Sequence, residues 1–365
     1  MGSTIINLHN PARIQHWKCA VSNRNIRRLD AGEFPRMDAA IAVRRRAPCP
    51  QGTAKMVYPF FSVILPRTRM KTLWKSAWSL ALASCAAMAS AETVLERIGA
   101  GGKLVIAHRE SSVPFSYVDA QTGKPVGYAM DLCLRLAEVV RKKTGMKDMA
   151  VEFVQVTPAN RIAMVEQGKA DLECGSTTNN AERRQKVAFT IPHFITGARL
   201  LVKSTSPIDR VEDLMGKKLV STKGTTPLKA AEQANRERLM GITIVEAPDH
   251  ARALEMVEKG EADAFVMDDV LLYGLAANRP DPKALKVVGR FLTTEPLAIM
   301  LPKNDPEFKK LVDEEMRRLI TSREIYAVYD RWFSKPIAPH GTVLNLPVSY
   351  LLRDFWKYPT DQVPF

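Results

Sequence analysis

Beyond residue 91 the sequence has only two cysteines, no apolar run near the roughly 18 residues that a bilayer crossing needs, and almost no net charge. The missing apolar run speaks against a transmembrane anchor. The missing charge is less obvious, because the whole 365-residue chain has a formal net charge of +14. Residues 1–91, however, hold 14 of the 53 Lys+Arg and 3 of the 39 Asp+Glu, which leaves 39 basic against 36 acidic residues in the remainder. No basic stripe with interleaved aromatics is left there, and nucleic acid is not expected as a partner. Metal-ligand spacing, a Cys-His pair and a glycine-rich phosphate loop are also lacking, so no metal or other cofactor is expected.

The head of the chain does carry an export signal. Met70-Lys71-Thr72-Leu73-Trp74-Lys75, an apolar run over 77–88 and the small-residue end Ala89-Ser90-Ala91 have the three-part form of a secretory signal peptide. A signal belongs at an N-terminus. Residues 70–91 are therefore read as the signal, Met70 as the natural first residue, and residues 1–69, rich in Arg and Pro and without periodicity, as a non-native upstream extension. Leu82-Ala83-Ser84-Cys85 resembles a bacterial lipobox and is a competing cleavage site, with lipidation on Cys85. In either case the body faces an oxidising space, where Cys133 and Cys174 form a disulfide or stay as two buried thiols; the sequence leaves both open.

From residue 92 to about 339, short apolar runs rich in branched residues alternate with helical runs, the pattern of a parallel sheet with crossover helices. Strands are predicted at 104–107, 151–156, 172–174, 219–222, 242–245, 264–267 and 297–301, and their apolarity on both sides suits strands covered by helices on both faces. Thr157-Pro158, Thr226-Pro227 and Asp305-Pro306 each place a capping side chain before a proline at the first helical position. Gly145, Gly168 and Gly260 close helices at the other end. Phe308, Leu311, Val312, Met316, Leu319 and Ile320 form one apolar helical stripe and are read as core. An internal echo, Gln167-Gly168-Lys169-Ala170-Asp171 against Lys259-Gly260-Glu261-Ala262-Asp263, predicts two similar lobes. We divide them as 92–200 and 299–340 for lobe 1 and 201–298 for lobe 2, with chain crossings near 200–203 and 298–301. The tail, 341–365, shows no clear element and is expected to lie along the surface or fray.

Two polar loops of matching chemistry, Gly175-Ser176-Thr177-Thr178 and Gly224-Thr225-Thr226, each lie between an apolar strand-like run and a helix-like run. Hydroxyls and free backbone N–H groups at two helix starts make a receptor for a small anion. Arg183, on the helix that the first loop opens, can reach back to form a two-point pair with a carboxylate, although a solvated helix arginine is the ordinary expectation at such a position. Ser176 and Asp268 suit an ammonium, the acid ending the otherwise apolar run Phe265-Val266-Met267-Asp268. Asp269 competes for that role, or for a helix cap. A carboxylate together with an ammonium describes an amino acid.

Five motifs carry the reading further: His108-Arg109-Glu110-Ser111-Ser112-Val113-Pro114-Phe115-Ser116-Tyr117, Glu173-Cys174-Gly175-Ser176-Thr177-Thr178-Asn179-Asn180, Gly224-Thr225-Thr226, Asp249-His250 and Met267-Asp268-Asp269. In order and spacing, from about residue 95 to 337, they resemble the periplasmic glutamate/aspartate-binding proteins of ABC transporters, within the bacterial extracellular solute-binding proteins of family 3. The resemblance implies an α/β, two-lobed periplasmic-binding-protein fold (type II), each lobe a sheet flanked by helices and the ligand in the cleft between them. It implies that Thr178, Arg183 and Thr226 hold the α-carboxylate, that Ser176 and Asp268 meet the α-ammonium, and that Arg109, Arg161 and His250 hold the side-chain carboxylate. It further implies a monomeric periplasmic protein that delivers L-glutamate or L-aspartate to an inner-membrane ABC permease. For His250 a capping or packing role is an equal alternative. Where the family commonly has a serine three residues before the second arginine, this chain has Pro158, which donates no hydrogen bond.

A different class is an exported enzyme on the same fold, since some dehydratases of cyclic carboxylic acids are similar to these binding proteins, and fold does not fix function. Such an enzyme needs an acid or base set against the reacting bond, whereas every candidate here has a binding role. The expectation is a binding protein.

Overall fold

A computed structural model describes residues 92–363; the signal segment, Cys85 and the upstream extension lie outside the described residues. The two echoing segments do the same work in two different sheets. In each, a glycine in the left-handed region ends a helix, Gly168 at φ 67° and Gly260 at φ 75°. Two following N–H groups then return to one helix carbonyl, Met164 O in the first case and Met256 O in the second. The acid closes a reciprocal pair with a strand: Asp171 N donates to Val105 O while Val105 N donates to Asp171 Oδ2, and Asp263 and Lys218 repeat the arrangement. The echo in the sequence is a repeated helix-to-strand joint.

The first sheet has the spatial order Val151–Gln155, Leu104–His108, Leu172–Glu173, Met300–Pro302, Val187–Phe189; the second has Thr243–Ala247, Lys218–Thr222, Ala264–Asp268, Ala198–Lys203, Leu285–Val288. In both, the fourth strand runs against its neighbours on either side. The sheets are thus mixed where a parallel one was predicted. The reversed strand is the one that follows the crossing ribbon, an antiparallel pair of Phe194–Thr196 with Glu295–Leu297. Accordingly the predicted strand 297–301 is two strands, Glu295–Leu297 in the ribbon and Met300–Pro302 in the first sheet, with Ala298 N bonded to Thr177 O and Ile299 N to Thr190 Oγ1 at the break. Ala198–Lys203, read as a bridging run, lies wholly within the second sheet.

Burial on both faces holds for the central strands, with Ala264–Asp268 buried throughout, and fails at Val151–Gln155 and Thr243–Ala247, which are the edge strands of their sheets. The stripe on the helix Pro306–Thr321 is core at Phe308, Val312, Met316, Leu319 and Ile320, while Leu311 is half-buried. Phe194 of the ribbon stacks on Tyr329 and Phe333 at 5.9 and 5.1 Å, which anchors the crossing in that core. A disulfide joins Cys133, on the helix Tyr128–Thr144, to Cys174 with Cα atoms 6.3 Å apart, and so pins the chain one residue before Gly175.

The tail lies against the body, one of the two outcomes expected, but it also forms an element that was not predicted. It contains a helix, Tyr350–Phe355, capped by the Ser349 hydroxyl, with Leu352, Trp356 and Val363 buried and Trp356 Nε1 donating to Pro192 O at 3.2 Å. Six residues are too few to print an apolar period, so packing against the lobe defines this helix where propensity alone does not.

Candidate binding site

Helix starts set the geometry of the site. Thr225, not Thr226, caps the helix Thr226–Glu237 by accepting from Leu228 N, which moves the predicted cap by one residue and frees the Thr226 hydroxyl. Asp249 caps the helix His250–Glu258, and His250 is its first residue. The helix after Thr157-Pro158 begins only at Arg161, with Asn160 N donating to Thr157 Oγ1 ahead of it. An arginine at that end is unfavourable for the helix dipole, so local helix stability does not explain Arg161. Arg183 opens a short 3-10 turn, Arg183–Gln185, in place of the predicted helix. Arg109 follows the strand Leu104–His108, and Asp268 ends the strand Ala264–Asp268.

All eight predicted residues come together; seven are buried and Thr226 is half-buried. Arg109, Arg161, Ser176, Thr178, Thr226, His250 and Asp268 line one tight cavity of about 10 Å³, together with Thr225 and the apolar Pro227, Met267 and Leu271. Arg183 joins it by donating from Nη1 to Thr178 O at 3.0 Å and from Nη2 to Gly224 O at 3.3 Å, which ties a loop of the first lobe to a loop of the second. Arg109 Nη2 lies 3.4 Å from His250 Nε2, and Thr222 Oγ1 lies 2.8 Å from His250 Nδ1. Because Arg109 is a donor, the His250 Nε2 lone pair accepts and its Nδ1 proton goes to Thr222. Arg161 Nη1 donates to Ser176 O at 3.5 Å. Asp269 accepts from Thr196 Oγ1 at 2.6 Å and is turned away, so Asp268 is the acid on the cavity. Pro158 is not among the lining residues.

Several polar atoms here are buried without a protein partner: Arg109 Nε and Nη1, Arg161 Nε and Asp268 Oδ1. Such atoms cost about 1–3 kcal/mol each, and more when charged. Desolvation, then repulsion from Arg161, lowers Arg109 to about 9 and Arg183 to about 10, so both remain cationic at neutral pH. Desolvation also lowers Arg161, and Glu173 is its largest opposing influence. Desolvation, then Arg109 and Arg161, drives His250 well below its usual value and keeps it neutral. Burial, then Glu295 and Asp269, raises Asp268 well above the carboxylate range. The cavity therefore offers unmatched cationic donors at one end and one unmatched acidic acceptor, an environment built for a dipolar anion.

Two buried acids were missed. Glu173 accepts from Thr177 Oγ1 at 2.5 Å beneath the arginines, and Glu295 accepts from both Thr178 Oγ1 and Thr226 Oγ1. Both carry the signal used for Asp268, a carboxylate set inside or against an apolar run, where it needs a partner.

Residues 104–335 match the model of the bacterial extracellular solute-binding proteins, family 3. This chain belongs to that family. An L-glutamate/L-aspartate-binding protein of Pseudomonas aeruginosa is 40% identical over 290 residues, 78% of this chain and 96% of the relative. A glutamate/aspartate import solute-binding protein of Escherichia coli K12 is 40% identical over 297 residues, 81% of this chain and 97% of the relative. Among solved structures, an ancestral amino acid-binding protein, a precursor of cyclohexadienyl dehydratase, is similar with TM-score 0.56 and 31% identity, covering 66% of this chain and 100% of that one. The family's two-lobed α/β fold is the fold described above, and the chain is a solute-binding protein, not an enzyme. No helix among the described residues is long and apolar enough to cross a membrane.

Proposed function

We propose that this chain is the glutamate/aspartate-binding component of an ABC import system: a periplasmic monomer that closes its lobes on one acidic amino acid and presents it to an inner-membrane permease. The observation that carries the reading is that the buried guanidinium groups of Arg109 and Arg161, from separate stretches of chain, line one cavity that also holds Asp268, with buried Arg183 bonded to Thr178 on its wall. Arg109 and Arg161, with three unpartnered donor atoms between them beside neutral His250, suit the side-chain carboxylate. Asp268 Oδ1, with Ser176 nearby on the cavity wall, suits the α-ammonium. Arg183 and the Thr178 and Thr226 loops suit the α-carboxylate at the start of the helix Thr226–Glu237. The names of the two relatives above agree with this ligand class. A side-chain amide would set its own N–H against guanidinium N–H and leave charge uncompensated.

Closure follows from the same contacts. A ligand that touches both lobes stabilises the closed arrangement over the open one, and the permease reads the difference. The signal-like segment at 70–91 supports export to where such a permease is met. Calorimetric titration with glutamate, aspartate, glutamine and asparagine is the test. Stoichiometric binding of the acids, with the amides weaker by about 100-fold, is expected from the loss of one buried charged hydrogen-bond pair. Amides bound as tightly as acids, or an acid converted to product, would overturn the reading.

A further inference from the structure

Glu295 is the first residue of the ribbon strand Glu295–Leu297, paired in register with Thr196, and is 2% exposed. Its Oε2 accepts two hydroxyl hydrogen bonds, from Thr178 Oγ1 at 2.6 Å and from Thr226 Oγ1 at 2.7 Å. One threonine belongs to the loop after the first-sheet strand Leu172–Glu173, the other to the helix start after the second-sheet strand Lys218–Thr222, and their oxygens are 3.2 Å apart. The carboxylate is therefore a three-way joint between both lobes and the ribbon that connects them.

A hydroxyl has one proton to give. With both protons directed to Glu295, neither threonine can donate to a bound carboxylate at the same moment. Other donors in the same place are not so committed. Thr178 faces Leu297 in an isolated antiparallel bridge whose hydrogen bonds flank it, Asn179 N to Pro296 O and Ala298 N to Thr177 O. Its own N–H and C=O point to the other side, where the C=O receives Arg183 Nη1. Thr226 is the first residue of its helix, and a first-turn N–H has no partner within the helix.

We propose that Glu295 is a closure latch and positioning residue, which holds one hydroxyl from each lobe so that the backbone N–H groups of Thr178 and Thr226, together with Arg183, meet the ligand's α-carboxylate in place of the hydroxyls. The ligand part rests on the function proposed above; the latch part does not. The side chain also places a third buried acid, with Glu173 and Asp268, among the three guanidinium groups.

The test is a cycle of Glu295→Ala, Thr226→Val and the double variant, in protein carrying one fluorophore on each lobe. Without ligand, Glu295→Ala is expected to widen the separation of the lobes. With glutamate and aspartate it is expected to weaken binding of both by about 10- to 100-fold, the equivalent of one or two charged hydrogen bonds, and leave the ratio of acid to amide affinity unchanged. Glu295→Gln keeps a carbonyl oxygen with two lone pairs and is expected to recover most of the affinity. The deciding reading is additivity: if the Thr226 hydroxyl serves only Glu295, the double variant binds no more weakly than Glu295→Ala. Additive losses would mean that the hydroxyl touches the ligand, and tighter binding in Glu295→Ala would mean that the carboxylate competes with it; either overturns the proposal. If Glu295→Ala does not fold, Thr226→Val decides alone, because an unchanged lobe separation in the ligand-free protein defeats the latch. Failure of the wild type to bind any acidic amino acid would remove the ligand reading and leave this separation test standing.

Discussion

Gly224 is a point at which closure is sensitive to a single added atom. Its φ is +79°, and a Cβ built there would lie 2.7 Å from both Ala159 Cα and Pro158 O and 2.9 Å from Ala159 N, all backbone atoms of the opposite lobe. Gly224→Ala thus has two effects that can be separated. Alanine in the left-handed region costs about 1 kcal/mol whether the lobes are together or apart, and so lowers the melting temperature without ligand. The clash exists only when the lobes are together. Carbon atoms pack best at about 3.5–4.0 Å, so the facing backbones must part by nearly 1 Å. Arg183 Nη2 to Gly224 O is already 3.3 Å and does not survive that movement. With the Thr178 and Thr226 joint loosened as well, one or two hydrogen bonds are lost, about 1–3 kcal/mol or roughly 10- to 100-fold in Kd.

Gly260→Ala is the control. Its φ is +75°, but the nearest atom to its Cβ is Lys203 Nζ at 3.6 Å, an ordinary contact. It carries the same backbone strain and no clash, so the melting temperature should fall by a similar amount while glutamate affinity stays within about twofold of wild type, in keeping with independent sites. Calorimetric titration and thermal melts of the three proteins supply both numbers. An equal affinity loss in the two variants, or none in Gly224→Ala, refutes the argument that these backbones touch in the closed form.

Other outcomes follow from the same contacts. Arg183→Ala should weaken acids and amides alike by at least about 100-fold, because it removes a grip on the α-carboxylate and a bridge between lobes, whereas Arg109→Ala should relax the preference for acids over amides; parallel losses in both variants would contradict this division. Asp268 has a raised pKa in the folded protein, so its burial is harmless below 3.8 and grows costly as pH rises through the folded value. Asp268→Asn is therefore expected to melt higher than wild type at pH 7 without ligand, by a margin that shrinks towards pH 4.5, while losing amino-acid binding; a margin that is constant with pH would sink the assignment. The Cys133–Cys174 link, with a separation of 41 residues, removes about 4 kcal/mol of unfolded-chain entropy on the loop-closure model. Replacing both cysteines by alanine should lower the melting temperature by on the order of 10 °C, and a melt unchanged by reductant would show that the bond is not formed.

What the sequence made legible, and what it did not, has one physical source. Helix stops, caps and the repeated joint at Asp171 and Asp263 are local, so they can be read from neighbouring residues. Arg109, Arg161 and His250 carry no local mark as a group, since what unites them is the placement of two sheets, and only the family resemblance brought them together. Asp268 was legible through the rule that crevices form at the carboxyl ends of parallel strands. Glu295 escaped the same rule because the return chain enters the first sheet in the opposite direction, through Glu295–Leu297 and then the reversed strand Met300–Pro302. A strand that runs backwards brings its start, not its end, to the cleft, so the telling acid precedes its apolar run. The other limb of the ribbon makes the same point in reverse order: Phe194–Thr196 ends at the cleft, and there the Thr196 hydroxyl takes Asp269. The choice between two adjacent acids, which the strand Ala264–Asp268 could not settle from its own sequence, is thus made by a residue more than seventy positions away.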